Sequence, residues 1–124
     1  MGVTERFLKY VSFDTQSDPN SVTVPSTSKQ LLLGNYLYEE LKSIGLKNAM
    51  LDEFGIAYGW LPASEGMENL PGIGFISHMD TAPVSPGNNI RPRIINDYKG
   101  DDDFSFLNGL SRFYRYTDCQ RGLK

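Results

Sequence analysis

The stretch from Thr27 to Leu46 marks its own ends, and it constrains the chain more than any other segment. Thr27 reads as a helix N-cap. Gln30, three residues on, completes a capping box, which satisfies amide donors that a helix start leaves orphaned. Leu33, Leu37, Leu41 and Ile44 recur at the spacing of one helical face and predict its buried side. Gly45 then suits a left-handed C-cap, and Leu46 stands where that cap places its apolar contact.

Shorter elements lie around this helix. Val3, Phe7 and Val11, with Leu8 beside them, form an apolar stripe that predicts a helix over Val3–Val11. Asp14 to Ser26 is polar, carries Pro19 and Pro25, and reads as a loop long enough to have a role beyond connection. Ala49–Glu53 and Ile56–Leu61 alternate on either side of Phe54-Gly55, the pattern of a hairpin. Ile73–Ser77, short and apolar after Pro71-Gly72, predicts a buried strand, central in its sheet. Arg93–Asn96 reads as a further short strand. With twelve Gly and seven Pro, much of the remainder must be turn and loop. The expected class is α/β: two helices plus a partial mixed sheet.

Composition excludes several kinds of partner. The formal charge is −3, and no Lys/Arg cluster stands out, which argues against nucleic acid and anionic membranes. No run approaches the roughly 18 apolar residues of a membrane span, and Met1–Tyr10 lacks the apolar core of a signal peptide. The single cysteine, Cys119, allows no disulfide within one chain and fits a reducing compartment. A cytoplasmic protein is expected.

For chemistry, the informative count is histidine: there is one, His78. A site that needs two imidazoles cannot come from one copy of this chain. His78 and Asp80 directly follow the apolar run Ile73–Ser77. In open α/β sheets, ligand sites gather beyond the carboxyl ends of strands. Residues two apart in extended backbone share a side, so His78 and Asp80 can face one space while Met79 turns into the core. A carboxylate that accepts one ring N–H fixes the imidazole's tautomer and orientation and raises the basicity of the other nitrogen. Taken alone, the tripeptide also suits a histidine hydrogen-bonded to a local carboxylate at a strand end.

The surrounding sequence is more specific. Gly72-Ile73-Gly74-Phe75-Ile76-Ser77-His78-Met79-Asp80-Thr81-Ala82-Pro83 resembles the first metal motif of the M20 metallopeptidases, in particular their tripeptide aminopeptidases. Arg6 to Val11, Asp14-Thr15-Gln16-Ser17, Thr23 to Thr27, Lys29-Gln30, Glu40-Leu41-Lys42, Gly45-Leu46 and Leu61-Pro62-Ala63 resemble the same family. Order and spacing agree from about residue 4 to about residue 102. The resemblance implies zinc as cofactor, with His78 a metal ligand and Asp80 the catalytic carboxylate that holds it. It also implies removal of the N-terminal residue of tripeptides by paired zinc ions and a glutamate base. The family's bridging aspartate, glutamate pair, further acidic ligand, second histidine and smaller lid domain have no counterpart in this sequence.

The division that follows is 1–102 as the N-terminal portion of a peptidase catalytic domain and 103–124 as an unmatched tail, out of frame or disordered. Asp101, Asp102 and Asp103 read as a solvated turn, and Cys119 as inert. Trp60 and Tyr58 read as core or sheet-face packing, Thr81–Pro83 as the loop that holds Asp80, and Asp14–Ser17 as a turn. Two functional classes remain: a tripeptide aminopeptidase, truncated and inactive alone, or a non-catalytic remnant or interaction fragment. In either case an open sheet edge would favour self-association.

Overall fold

The computed structural model describes residues 1–94 and 96. The chain divides into a first unit, Met1–Arg91, and a second, Pro92–Lys124. The described residues of the second unit form no strand, so the strand expected at Arg93–Asn96 is not formed at Arg93, Ile94 or Asn96. Asp101, Asp102, Asp103, Cys119 and the whole 103–124 tail lie outside the described residues.

The first unit runs α1 (Val3–Tyr10), α2 (Gln30–Ser43), β1 (Lys47–Leu51) and β2 (Ala57–Trp60). At the start of α1 the Gly2 amide donates to Glu5 Oε2 at 2.6 Å, placing a carboxylate at the positive helix end. The last turn of α1 meets the middle of α2 through aromatic rings. Tyr36 lies 6.1 Å from Tyr10 and 5.4 Å from Phe13, centroid to centroid. The Tyr10 hydroxyl donates to Glu40, which Arg6 also approaches at 3.5 Å.

The entry to α2 differs from the expected cap. The N-cap is Lys29, in helical conformation, with no side-chain cap. Thr27 instead donates its hydroxyl to the Gln16 carbonyl at 2.9 Å. Backbone bonds from Gln30 to Thr27 and from Leu31 to Ser28 wind the chain into the helix as a tight turn. A hydroxyl tied to a distant loop is no longer free to cap, and local pattern cannot see that competitor.

The exit from α2 follows its sequence. Gly45 sits at φ +88°. Its amide donates to Lys42 at 3.0 Å and that of Leu46 to Leu41 at 3.1 Å, the paired bonds of a Schellman motif. The predicted face is buried most deeply at one end. Leu33 is 5% exposed, Leu37 and Leu41 are half-buried, and Ile44 stands 51% exposed. Next to Leu33, Gly34 is buried where α2 meets the hairpin turn. A Cβ there would lie 3.1 Å from the Gly55 carbonyl oxygen and 3.2 Å from Leu51 Cδ1.

The expected hairpin forms, antiparallel, with Met50 opposite Tyr58 and Leu51 opposite Ala57; its first strand lies two residues earlier than Ala49–Glu53, because Asp52 and Glu53 belong to the turn. Asp52 closes its turn by accepting from the Phe54 and Ile56 amides at 3.0 and 2.8 Å. Tyr58 donates its hydroxyl to Asp52 at 3.1 Å. Trp60 is 57% exposed and Tyr58 45%, so neither belongs to a core.

The expected mixed sheet is not present among the described residues: the sheet has two strands, β1 and β2, and is antiparallel. The central strand expected at Ile73–Ser77 is also absent. Ile73, Phe75 and Ile76 are 84%, 95% and 101% exposed. A buried strand needs neighbours on its edges and cover on its faces, and among the described residues this run has neither. Among the described residues, parallel pairing is confined to one bridge, Gln16 with Thr81. No helix among the described residues is long and apolar enough to cross a membrane.

Gly45→Ala forces a side chain into left-handed backbone at a cost of about 1–2 kcal/mol, measurable as a lower denaturant midpoint. Burial and the Glu40 carboxylate push the Tyr10 phenol from 10.0 up to about 12. A raised pKa means its contribution is present below pH 10.0 and is lost as pH rises towards about 12. In alkaline unfolding, Tyr10→Phe should flatten stability over that interval.

Candidate functional site

The site is built on the segment after Ile76. His78 Nδ1 lies 3.1 Å from Asp80 Oδ1. A carboxylate only accepts, so Nδ1 carries the proton and Nε2 is left as a lone-pair donor. The His78 side chain is 84% exposed and that of Asp80 43%, so the imidazole is open to solvent. Between them Met79 turns the other way. Its methyl group lies 3.5 Å from where a Gly34 Cβ would stand and 3.9 Å from that of Gly55. The alternation expected of His78-Met79-Asp80 is therefore present without a flanking sheet.

What replaces the sheet is the loop between α1 and α2. The Thr81 amide donates to the Thr15 carbonyl at 3.1 Å, and the Ser17 amide returns to the Thr81 carbonyl at 2.9 Å. The Ser17 hydroxyl adds a bond to the same carbonyl at 3.0 Å. The Gln16 carboxamide donates to Pro83 and Ser85 carbonyls at 3.1 and 2.8 Å. Lys29 holds the base of this loop, its ammonium 2.9 Å from Asp14 Oδ1 and 3.5 Å from Gln16 Oε1. Thr15 is buried, 3% exposed, and Gly87 packs so tightly that a Cβ would lie 3.1 Å from Gln16 Cβ.

Beside the pair lies an apolar cavity of about 790 Å³, with Phe7, Tyr10, Leu33, Leu37, His78 and Met79 among its walls. His78 thus stands at the margin of a space large enough for a small organic ligand. Asp80 is not part of the lining.

The donor set fits one part of a metal site. An exposed imidazole nitrogen backed by a carboxylate is how a zinc-binding histidine is held, but zinc normally takes three or four protein ligands. Among the described residues, no group of three or more His, Cys, Asp or Glu side chains is arranged to hold a metal ion.

The expected turn at Asp14–Ser17 proves to be the clamp on the site. Its signal in the sequence was the length of the polar loop between the helices. No periodicity could reveal that its partner lies at Thr81–Ser85.

No family model matches the chain. Among curated proteins it is 56% identical over 100 residues to Peptidase T of Clostridium acetobutylicum, and 50% identical over 100 residues to Peptidase T of a Geobacillus species. It is 50% identical over 99 residues to Peptidase T of Aliivibrio fischeri. These matches cover 80–81% of this chain and 24% of each relative, so the chain spans about a quarter of their length.

The Lys29 hydrogen bond, with that of the Gln16 amide, holds the Asp14 carboxyl below its ordinary 3.8. A depressed pKa gives a contribution present above 3.8 and lost as pH falls below it. Asp14→Asn should therefore flatten the acid limb of a stability-versus-pH curve, and an unchanged limb would show that the ion pair contributes nothing.

Proposed function

From the premise that this chain belongs to the peptidase T family, we propose that it carries the first metal-binding element of a zinc-dependent tripeptide aminopeptidase of the M20 type. The observation that supports this most is the His78–Asp80 pair, 3.1 Å apart, on an imidazole side chain that is 84% exposed. His78 is the metal ligand. Asp80 is the catalytic carboxylate, which keeps the ring in the tautomer that presents Nε2. Residues 1–102 form the N-terminal portion of the catalytic domain, and residues 103–124 stand outside it. The setting is cytoplasmic.

His78 would supply one ligand to a zinc ion, which when bound would provide Lewis acidity for the scissile carbonyl and for a water molecule. This chain's own share is narrower. Asp80 accepts the Nδ1 proton of His78, orients the ring and increases the basicity of Nε2. The apolar cavity beside His78 offers a water-poor wall on which a peptide side chain can rest. With one imidazole and one supporting carboxylate, the chain alone holds zinc weakly and does not cleave tripeptides. The exposed apolar run Ile73–Ile76 supports self-association in the isolated chain.

Two measurements test this reading. The isolated chain should show no stoichiometric tight zinc and no tripeptide hydrolysis; chelator-sensitive hydrolysis by it would contradict the proposal. A chimera in which this chain's 100 matched residues replace their counterparts in the Clostridium acetobutylicum relative should cleave tripeptides in a chelator-sensitive way. There Asp80→Asn should cost about 10–100-fold in activity or zinc affinity, and His78→Ala more. An active chimera indifferent to both substitutions would remove His78 and Asp80 from the site.

A further inference from the structure

We infer that Gln16 is a positioning residue for the His78–Asp80 pair, acting through the turn that follows Asp80. The inference rests on the proposed role of that pair and adds a residue outside the motif. The carboxamide has a defined orientation. Its oxygen lies 3.5 Å from the Lys29 ammonium, and its nitrogen donates to the Pro83 and Ser85 carbonyls at 3.1 and 2.8 Å. A carboxamide turned the other way would set its oxygen against two carbonyl oxygens and its N–H groups against a cation. Lys29 is itself fixed by Asp14 at 2.9 Å, so the amide orientation is decided by charge.

The consequence for the site follows from connectivity. On one side of Thr81 is Asp80; on the other is the turn that Gln16 grips. Thr81 is tied to the same loop by both its amide and its carbonyl. Asp80 therefore enters from Met79, whose methyl group packs where α2 meets the hairpin turn, and leaves into a segment whose backbone is fastened at Thr81, Pro83 and Ser85. Its carboxylate can stay at hydrogen-bond distance from an 84% exposed imidazole only if the backbone carrying it is held. A lone surface pair of this kind is worth little by itself, so its geometry has to come from the backbone. Packing at Gly87, where a Cβ would lie 3.2 Å from the Gln16 amide nitrogen, leaves that backbone little room to move.

Gln16→Glu is the decisive variant. It keeps length, shape and the attraction to Lys29, and removes both N–H donors. Because His78 is the only histidine, its ring nitrogens can be read directly by ¹⁵N NMR of the full chain. In the parent chain the Nδ1–H tautomer should dominate. Gln16→Glu should invert that ratio while the amide signals of α2 and the hairpin stay in place. Asp80→Asn should release the tautomer by itself, and adding Gln16→Glu to it should change nothing further.

An unchanged Nδ1–H tautomer in Gln16→Glu, with Asp80→Asn releasing it, overturns the role of Gln16 and leaves the pair intact. No release in Asp80→Asn overturns the pair and the inference with it. Gln16→Met, also lacking the donors, repeats the test without a new charge. Loss of the α2 and hairpin signals in both Gln16 variants would also overturn the inference, making Gln16 a residue of the fold rather than of the site.

Discussion

One rung of parallel pairing, between Gln16 and Thr81, holds the chemistry-bearing segment to the rest of the described chain. On one side of it lies the loop between the two helices, tied to α2 by Thr27 and Lys29. On the other lies the strand-like run that ends in His78 and Asp80. Remove that rung and the segment keeps only side-chain ties to the helices and the loop between them. Met79 is the second attachment, its methyl group at the place where α2 meets the hairpin turn. Two different interactions thus set alternate residues. Apolar contact takes Met79 inwards, and backbone hydrogen bonding fixes Thr81, which leaves His78 and Asp80 facing out.

The dependence on polar ties reflects how little is buried. Leu33 is the one buried large apolar side chain among the described residues, while Phe75, Ile76 and Val84 are 95%, 101% and 87% exposed. Apolar burial normally supplies most of the driving force for folding. Where it is scarce, hydrogen bonds and ion pairs carry more of the specification. The Asp14–Lys29–Gln16 cluster is such a case. It is polar and part-buried, and it decides which way an amide points, and through that amide where a turn sits.

Local chemistry was legible in the sequence where its partners were local. Gly45 and Leu46 close α2 as their types require, and the hairpin turns at Asp52–Ile56 around Gly55. The orientation of His78-Met79-Asp80 was legible too, because alternation belongs to extended backbone and needs no sheet. What was not legible depended on distant groups. Thr27 looks like a cap until the Gln16 carbonyl is seen beside it. The strand expected at Ile73–Ser77 has the right composition, but a strand exists only with a neighbour, and none is described. Asp14–Ser17 reads as a turn because its partners lie more than sixty residues away.

The central claim is that Asp80 holds Nδ1 of His78 so that Nε2 is the metal-binding nitrogen. The most direct measurement is a zinc titration of the chain labelled with ¹⁵N at its single histidine, following both ring nitrogens. The account predicts that the Nε2 resonance moves with added zinc while Nδ1 keeps its proton and its bond to Asp80. Movement of Nδ1 in its place, or no response at either nitrogen, would contradict it.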